Sequence, residues 1–182
     1  RFRQVPTFGN GIIRKSANNT SEMKRLAAWD FEDILQCAIP VFKGLFPADH
    51  DLVVQSLLYR FAQWHALVKL RMHSGSMVTF LEDTFKNLSW MLQKFQCDTC
   101  ATFNTMELPK EKTARQRRFA QQSGTNVTSA DSSRPRAKKF NLNTYKFHVM
   151  ADYARSIRFF GTTDSFTTQM VCMHCISTIY AS

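Results

Sequence analysis

The sequence predicts a mainly α fold built on a long antiparallel helical hairpin with additional helices. Three observations point there. The chain is 44% hydrophobic yet holds only 6 glycines and 5 prolines in 182 residues, a composition suited to a packed helical domain. Apolar residues recur at three- and four-residue spacing over 49–73 and again over 77–95, with only Ser74-Gly75-Ser76 between. A third such pattern occupies Tyr145–Phe160 and meets Gly161, a natural C-terminal stop.

Residues 1–18 form an irregular basic lead-in, expected to pack through Phe8, Ile12 and Ile13. The helical domain then runs over 19–121. Asn19 or Thr20 ahead of Glu22 has the form of a helix N-cap with an acid in the first turn. Met23, Leu26, Ala27, Phe31, Ile34 and Leu35 follow at helical spacing, until Pro40 should kink or end the helix, leaving a second piece over Val41–Phe46.

The helix over 49–73 has one broad apolar face of Val54, Leu57, Leu58, Phe61, Trp64, His65, Val68 and Met72. Asp49 and Asp51 at its start, and Lys69, Arg71 and His73 at its end, suit the helix dipole. The next stripe is Met77, Leu81, Thr84, Leu88, Met91 and Phe95, and the short break makes the pair an antiparallel hairpin whose stripes form the core. Cys97 to Cys100 closes that helix, and Glu107-Leu108-Pro109 opens a basic one with proline in its first turn. Residues 122–139 read as a flexible basic linker. The C-terminal helix and a polar loop take 140–169, with Arg155 and Arg158 at the negative end of the helix dipole. Residues 170–182 are an atypical tail.

A chain of this length can bury one sizeable core. No run of about 18 apolar residues is present, so no membrane span is expected. No secretory signal is visible, and five cysteines in that context are expected to be free thiols. The first residue is Arg1, not Met, so the sequence reads as starting within a longer protein. The net charge of +10 is uneven: residues 29–100 carry six basic and eight acidic groups, whereas 105–139 carry nine and three. A local excess of that kind fits a nucleic-acid partner.

Lys112, Arg115, Arg117, Arg118, Lys138 and Lys139 are the candidate DNA-backbone contacts, because guanidinium forks match phosphate geometry. The competing reading is a solvated charged face in which Glu107 and Glu111 pair with some of them. His148 and Asp152 lie four apart on one helix face, where they hydrogen-bond, share a metal or simply decorate the surface. His65 reads as a core-edge imidazole. Cys97-x-x-Cys100 and Cys172-x-x-Cys175 have the ligand count of a structural zinc site. The gap of about 70 residues far exceeds the usual ~15–20, which leaves Cys97 and Cys100 weak candidates beside a reading as unrelated thiols.

Three patches carry a family resemblance. The first is Lys146, His148, Asp152, Tyr153, Ile157 and Arg158, then Gly161-Thr162-Thr163-Asp164-Ser165 and Thr168-Gln169. The second is Trp64, His65, Ala66, Leu67, Lys69, Leu70, Arg71 and His73. The third is Thr99-Cys100, Thr105, Glu107-Leu108-Pro109, Glu111, Ala114-Arg115 and Arg117-Arg118. Together they resemble the C-terminal portion of fungal CACTA-type (Plavaka-like) DNA transposases.

The resemblance implies the helical insertion and C-terminal part of an RNase H-like transposase, a DNA partner and a nuclear location, or a cytoplasmic one for a non-functional fragment. It also implies Mg²⁺ in the intact enzyme, held by three carboxylates that activate water or a 3′-hydroxyl. Those carboxylates are expected outside this chain, so no catalytic residue is assigned here and the chain as given is expected to be inactive. The missing remainder of the transposase is then an expected partner, and helices shaped to cover its catalytic sheet would expose apolar faces. After Gln169 the resemblance stops: MVCMHCISTIYAS has no charged residue where the family turns acidic and then basic. That tail reads as translated intron from about Val171, or as the end of a decayed transposon copy. The alternative to the whole reading is a non-enzymatic helical module that binds nucleic acid or protein.

Overall fold

A computed structural model describes residues 1–9, 13, 20, 28–122 and 134–163. Five helices carry the fold: α1 (Ala28–Phe42), α2 (Ala48–Val68), α3 (Gly75–Lys94), α4 (Pro109–Gln122) and α5 (Tyr145–Phe160). The described part is mainly helical, as its composition and periodicity imply.

α2 and α3 form the expected hairpin. Leu52, Val53 and Ser56 at the start of α2 share a groove with Trp90, Met91 and Lys94 at the end of α3, so the two run antiparallel. Their boundaries differ from the sequence pattern. α2 stops at Val68, where the Lys69 and Leu70 amides donate to the carbonyls of His65 (3.2 Å) and Leu67 (3.3 Å). The His73 ring Nε2 then lies 2.9 Å from the Leu67 carbonyl, closing the turn. Met72, expected on the apolar face, therefore leaves the helix and is 82% exposed. α3 starts with Ser74 as its N-cap, whose hydroxyl accepts from the Met77 amide at 3.3 Å.

The buried face of α3 is Val78, Leu81, Thr84, Leu88 and Leu92. Leu81, Thr84 and Leu88 match the expected stripe and its Met91 and Phe95 pack partly buried against the same core, but the buried face is broader than the stripe and takes in Val78 and Leu92. The reason is a third helix. Met150, Ala154 and Ile157 of α5 join Leu57, Trp64 and Val68 of α2 around α3 in one core. The three helices meet one another, since Trp64 of α2 also contacts Tyr153 of α5.

α1 packs on α2 through Cys37, Ala38 and Val41. Pro40 neither ends nor visibly divides this helix, which continues to Phe42. Proline lacks the N–H that would bond to the Gln36 carbonyl, and the helix runs only two residues beyond it, where the last carbonyls lack intrahelical partners. Those carbonyls are met from outside: Arg1 Nη1 donates to Val41 O (3.1 Å) and Lys43 O (2.8 Å). Of the piece expected over Val41–Phe46, Val41 and Phe42 belong to α1 and residues 43–46 form a turn and bend instead. Gly44 has φ 69°, a region that favours glycine, and its amide donates to Asp51 Oδ1 at 2.9 Å. In the lead-in, Phe8 does not pack as expected. It pairs through its backbone with Ile13 and stays exposed, while Ile12 lies outside the described residues.

α3 gives way to a π-helical turn over Phe95–Thr99 and a last helical turn over Cys100–Thr102. Gly161 ends α5 as expected, with φ 84° and its amide on Ile157 O at 3.0 Å. Leu88 has no solvent exposure, so Leu88→Ala should cost about 3 kcal/mol, the range for a core leucine. Trp90→Ala, at a side chain 61% exposed one helix face away, should cost well under ~1 kcal/mol. Urea unfolding followed by circular dichroism measures both, and equal losses would contradict this packing.

Candidate nucleic-acid interface

The basic helix α4 begins as its sequence requires. Pro109 takes the first helical position and Glu111, at the third, reaches back so that its Oε2 accepts from the Leu108 amide at 3.0 Å. The helix offers few apolar side chains for burial, and its recorded anchors are polar. Arg115 Nε donates to Glu107 Oε1 (3.0 Å) and its Nη2 to Glu107 Oε2 (2.9 Å), a forked pair that is largely buried. The same Nη2 donates to the Arg134 carbonyl at 3.1 Å.

This clasp also fixes part of the expected linker. Met106 and Ala137 form an antiparallel bridge, with the Glu107 amide on Arg136 O and the Lys138 amide on Thr105 O, both at 2.8 Å. Residues 134–139 are thus pinned to 105–107, which corrects the reading of 122–139 as flexible throughout; residues 123–133 lie outside the described residues. The Arg115 guanidinium holds the Glu107 carboxyl down to about 2, against burial and with help from the Arg136 amide and the charges of Arg115 and Lys138.

The six candidate DNA contacts therefore divide. Arg115 is half-buried on Glu107, so its fork is already used, as the charged-face alternative anticipated. Lys138 Nζ lies 3.4 Å from Glu111 Oε1, an exposed pair of small energetic weight. Arg117, Arg118 and Lys139 are exposed, and Lys112 is half-buried. Across 100–122 and 134–140 there are nine basic and two acidic side chains.

The residues carrying the resemblance occupy two kinds of position. Trp64 is buried and meets Tyr153 edge to face at 5.3 Å, with Phe61 and Phe85 on its other sides. Arg158 forms a forked ion pair with Glu82, its Nη2 2.9 Å from Oε2, and this lowers the Glu82 carboxyl from its ordinary value. Thr163 Oγ1 donates to the Val68 carbonyl at 3.0 Å, docking the start of the loop after Gly161 on the end of α2. Patches distant in sequence thus meet as core and edge contacts. His65 is half-buried, and burial holds its imidazole below the usual histidine range, with Glu32 opposing and Lys69 reinforcing. It sits at the core edge, as the sequence reading has it. His148 and Asp152 lie on the exposed face of α5. Asp164 lies outside the described residues.

Cys97 is exposed and Cys100 half-buried in the π-turn region, where burial pushes the Cys100 thiol up and disfavours the thiolate a metal needs. Cys172 and Cys175 lie outside the described residues. Among the described residues no group of three or more His, Cys, Asp or Glu side chains comes together as a metal site. No described helix is long and apolar enough to cross a membrane. No protein-family model matches the chain, and no curated protein or solved structure matches it either.

One feature of the surface has little sequence signal. A cleft of about 790 Å³ lies between the π-turn region and residues 137–140, lined in part by Phe95, Phe103, Phe140, Lys138 and Lys139. Phe103 lies in a polar stretch without period, so its place beside Phe140 follows from the chain crossing alone; the adjacency of Lys138, Lys139 and Phe140 was the only legible hint.

The Glu107 carboxyl has a depressed value, so its contribution is complete above its ordinary 4.5 and is lost as pH falls toward about 2. A carbon-detected NMR titration should place its midpoint near 2. Glu107→Gln at neutral pH should speed amide exchange at residue 107 and Lys138 while leaving Leu88 protected. Unchanged exchange at Lys138 would show that the bridge stands without the clasp.

Proposed function

We propose that this chain is a DNA-backbone-binding helical portion of a CACTA-type, Plavaka-like transposase. The observation that carries the binding role is the exposed basic edge of α4, where Arg117 and Arg118 stand on a helix whose anchoring arginine is already committed to Glu107. Binding needs no rearrangement of that anchor. Lys139, on the segment bridged to 105–107, adds a further exposed positive charge, with Lys112 half-buried on α4. The family assignment is supported by the three sequence patches, two of which supply Trp64 and Tyr153 to one aromatic contact. No catalytic step is assigned to these residues.

The mechanism is electrostatic. Each arginine that replaces condensed counterions on the phosphate backbone adds affinity that falls with salt and reads no sequence. A second reading, a protein-docking module, is favoured by the exposed aromatic end of α5, where Phe159 and Phe160 are 70% and 72% exposed. The two readings differ in their response to salt.

Fluorescence anisotropy with a labelled duplex should show affinity falling steeply as salt rises. Arg117→Ala and Arg118→Ala should each lower affinity on every sequence and reduce the salt slope by about 1. Arg115→Ala should act chiefly by loosening α4. Absence of duplex binding at low salt by the folded chain would sink this proposal and leave the protein-docking reading.

A further inference from the structure

The cleft beside α4 combines chemical features that the basic edge alone does not have. Its walls present Phe103, which is 37% exposed, and the half-buried Phe140, with Lys138 and Lys139 at the same side. Both rings are held from behind. Phe103 packs edge to face on Phe46 (5.7 Å) and His50 (5.2 Å), while Phe140 packs on Phe95 (5.5 Å) and Phe147 (6.1 Å). Gln96 Nε2 donates to the Phe140 carbonyl at 2.6 Å, tying the two walls together across the cleft. The His50 ring Nδ1 lies 3.3 Å from Thr99 Oγ1, which fixes the imidazole under Phe103. Rings fixed in this way lose little further freedom when a flat partner stacks on them.

We propose that this cleft binds unstacked bases of single-stranded DNA, with Phe103 and Phe140 as the stacking surfaces and Lys139 as a backbone contact. The inference rests on the DNA-binding reading and narrows it to a substrate class. Aromatic surfaces beside lysines are the recurring means of holding single strands, because every base has a π-face and every linkage a negative charge. A stacked duplex presents its phosphates to a surface like the edge of α4 but keeps its bases out of a concave site. A cleft of about 790 Å³ falls within the usual range for pockets that enclose small ligands. Asn104, exposed in the same wall, offers an amide to a base edge. Lys138 is shared with Glu111, so Lys139 is the stronger candidate for the phosphate.

The test compares a labelled oligothymidylate with a duplex of equal length, by fluorescence anisotropy in the same low-salt buffer. Phe103→Leu retains apolar packing on Phe46 but loses the aromatic face, and should weaken single-strand binding roughly tenfold with less than a twofold change for the duplex. Phe103→Trp should retain or strengthen single-strand binding. Circular dichroism melting checks that each variant is folded. Crosslinking of wild-type protein to a 5-bromodeoxyuridine strand gives a readout that needs no variant, and should label peptides within 101–105 or 137–140. Crosslinks confined to 110–122, or equal weakening of both ligands by Phe103→Leu, would overturn the cleft assignment while leaving the α4 reading intact. Absence of binding to either ligand would overturn both.

Discussion

The burial of α3 against two helices at once is the constraint on which the rest of the structure depends. Leu81 and Leu88 are 1% and 0% exposed in a core that α2, α3 and α5 build together. Removing a leucine of this kind from water is worth about 1.5–3 kcal/mol, and packing against both helices adds close contacts that neither partner supplies alone. α5 reaches this place only after the chain has passed through α4 and the bridged segment around Ala137. The core is therefore assembled from segments far apart in sequence, and the connection must return at a fixed position beside the end of α3.

That return is organised by polar contacts. Glu107 meets Arg115 and the Arg136 amide, and the short bridge at Met106 and Ala137 brings residues 137–140 alongside the π-turn region. Phe140 then enters the aromatic row with Phe95 and Phe147 that leads into α5. A buried carboxylate is tolerated here because it is met by a forked guanidinium and a backbone amide. The same arrangement divides the basic residues into one that holds the helix and others that face solvent. Charge that looks uniform along α4 thus has two structural uses.

Much of the apolar surface remains outside this core. Leu52 is 71% exposed, and Phe80 and Trp90 are half or more exposed on the outer side of the hairpin. The proposed DNA contacts and the stacking cleft lie beside α4 and the π-turn, on a different part of the surface from the core-facing sides of the hairpin.

The sequence by itself determined that the chain is mainly helical, that α2 and α3 pair as a hairpin, and that α5 stops at Gly161. Local rules are enough for these, since periodicity, a Ser74 N-cap and a positive-φ glycine act within a turn or two of chain. It also showed that Arg115 had acids within reach, though not that it alone of the three arginines would be taken by Glu107. The packing of the whole chain set the added burial of Val78 and Leu92 beside the expected α3 stripe, the exposure of Met72, the continuation of α1 through Pro40 and the pinning of 134–139. Each depends on where a distant segment docks. A helix packed on two others buries a broader face than a single stripe, and Pro40 falls where only two residues of helix remain. The cleft of Phe103 and Phe140 belongs with these, because two aromatics 37 positions apart become one surface only when the chain crosses back on itself.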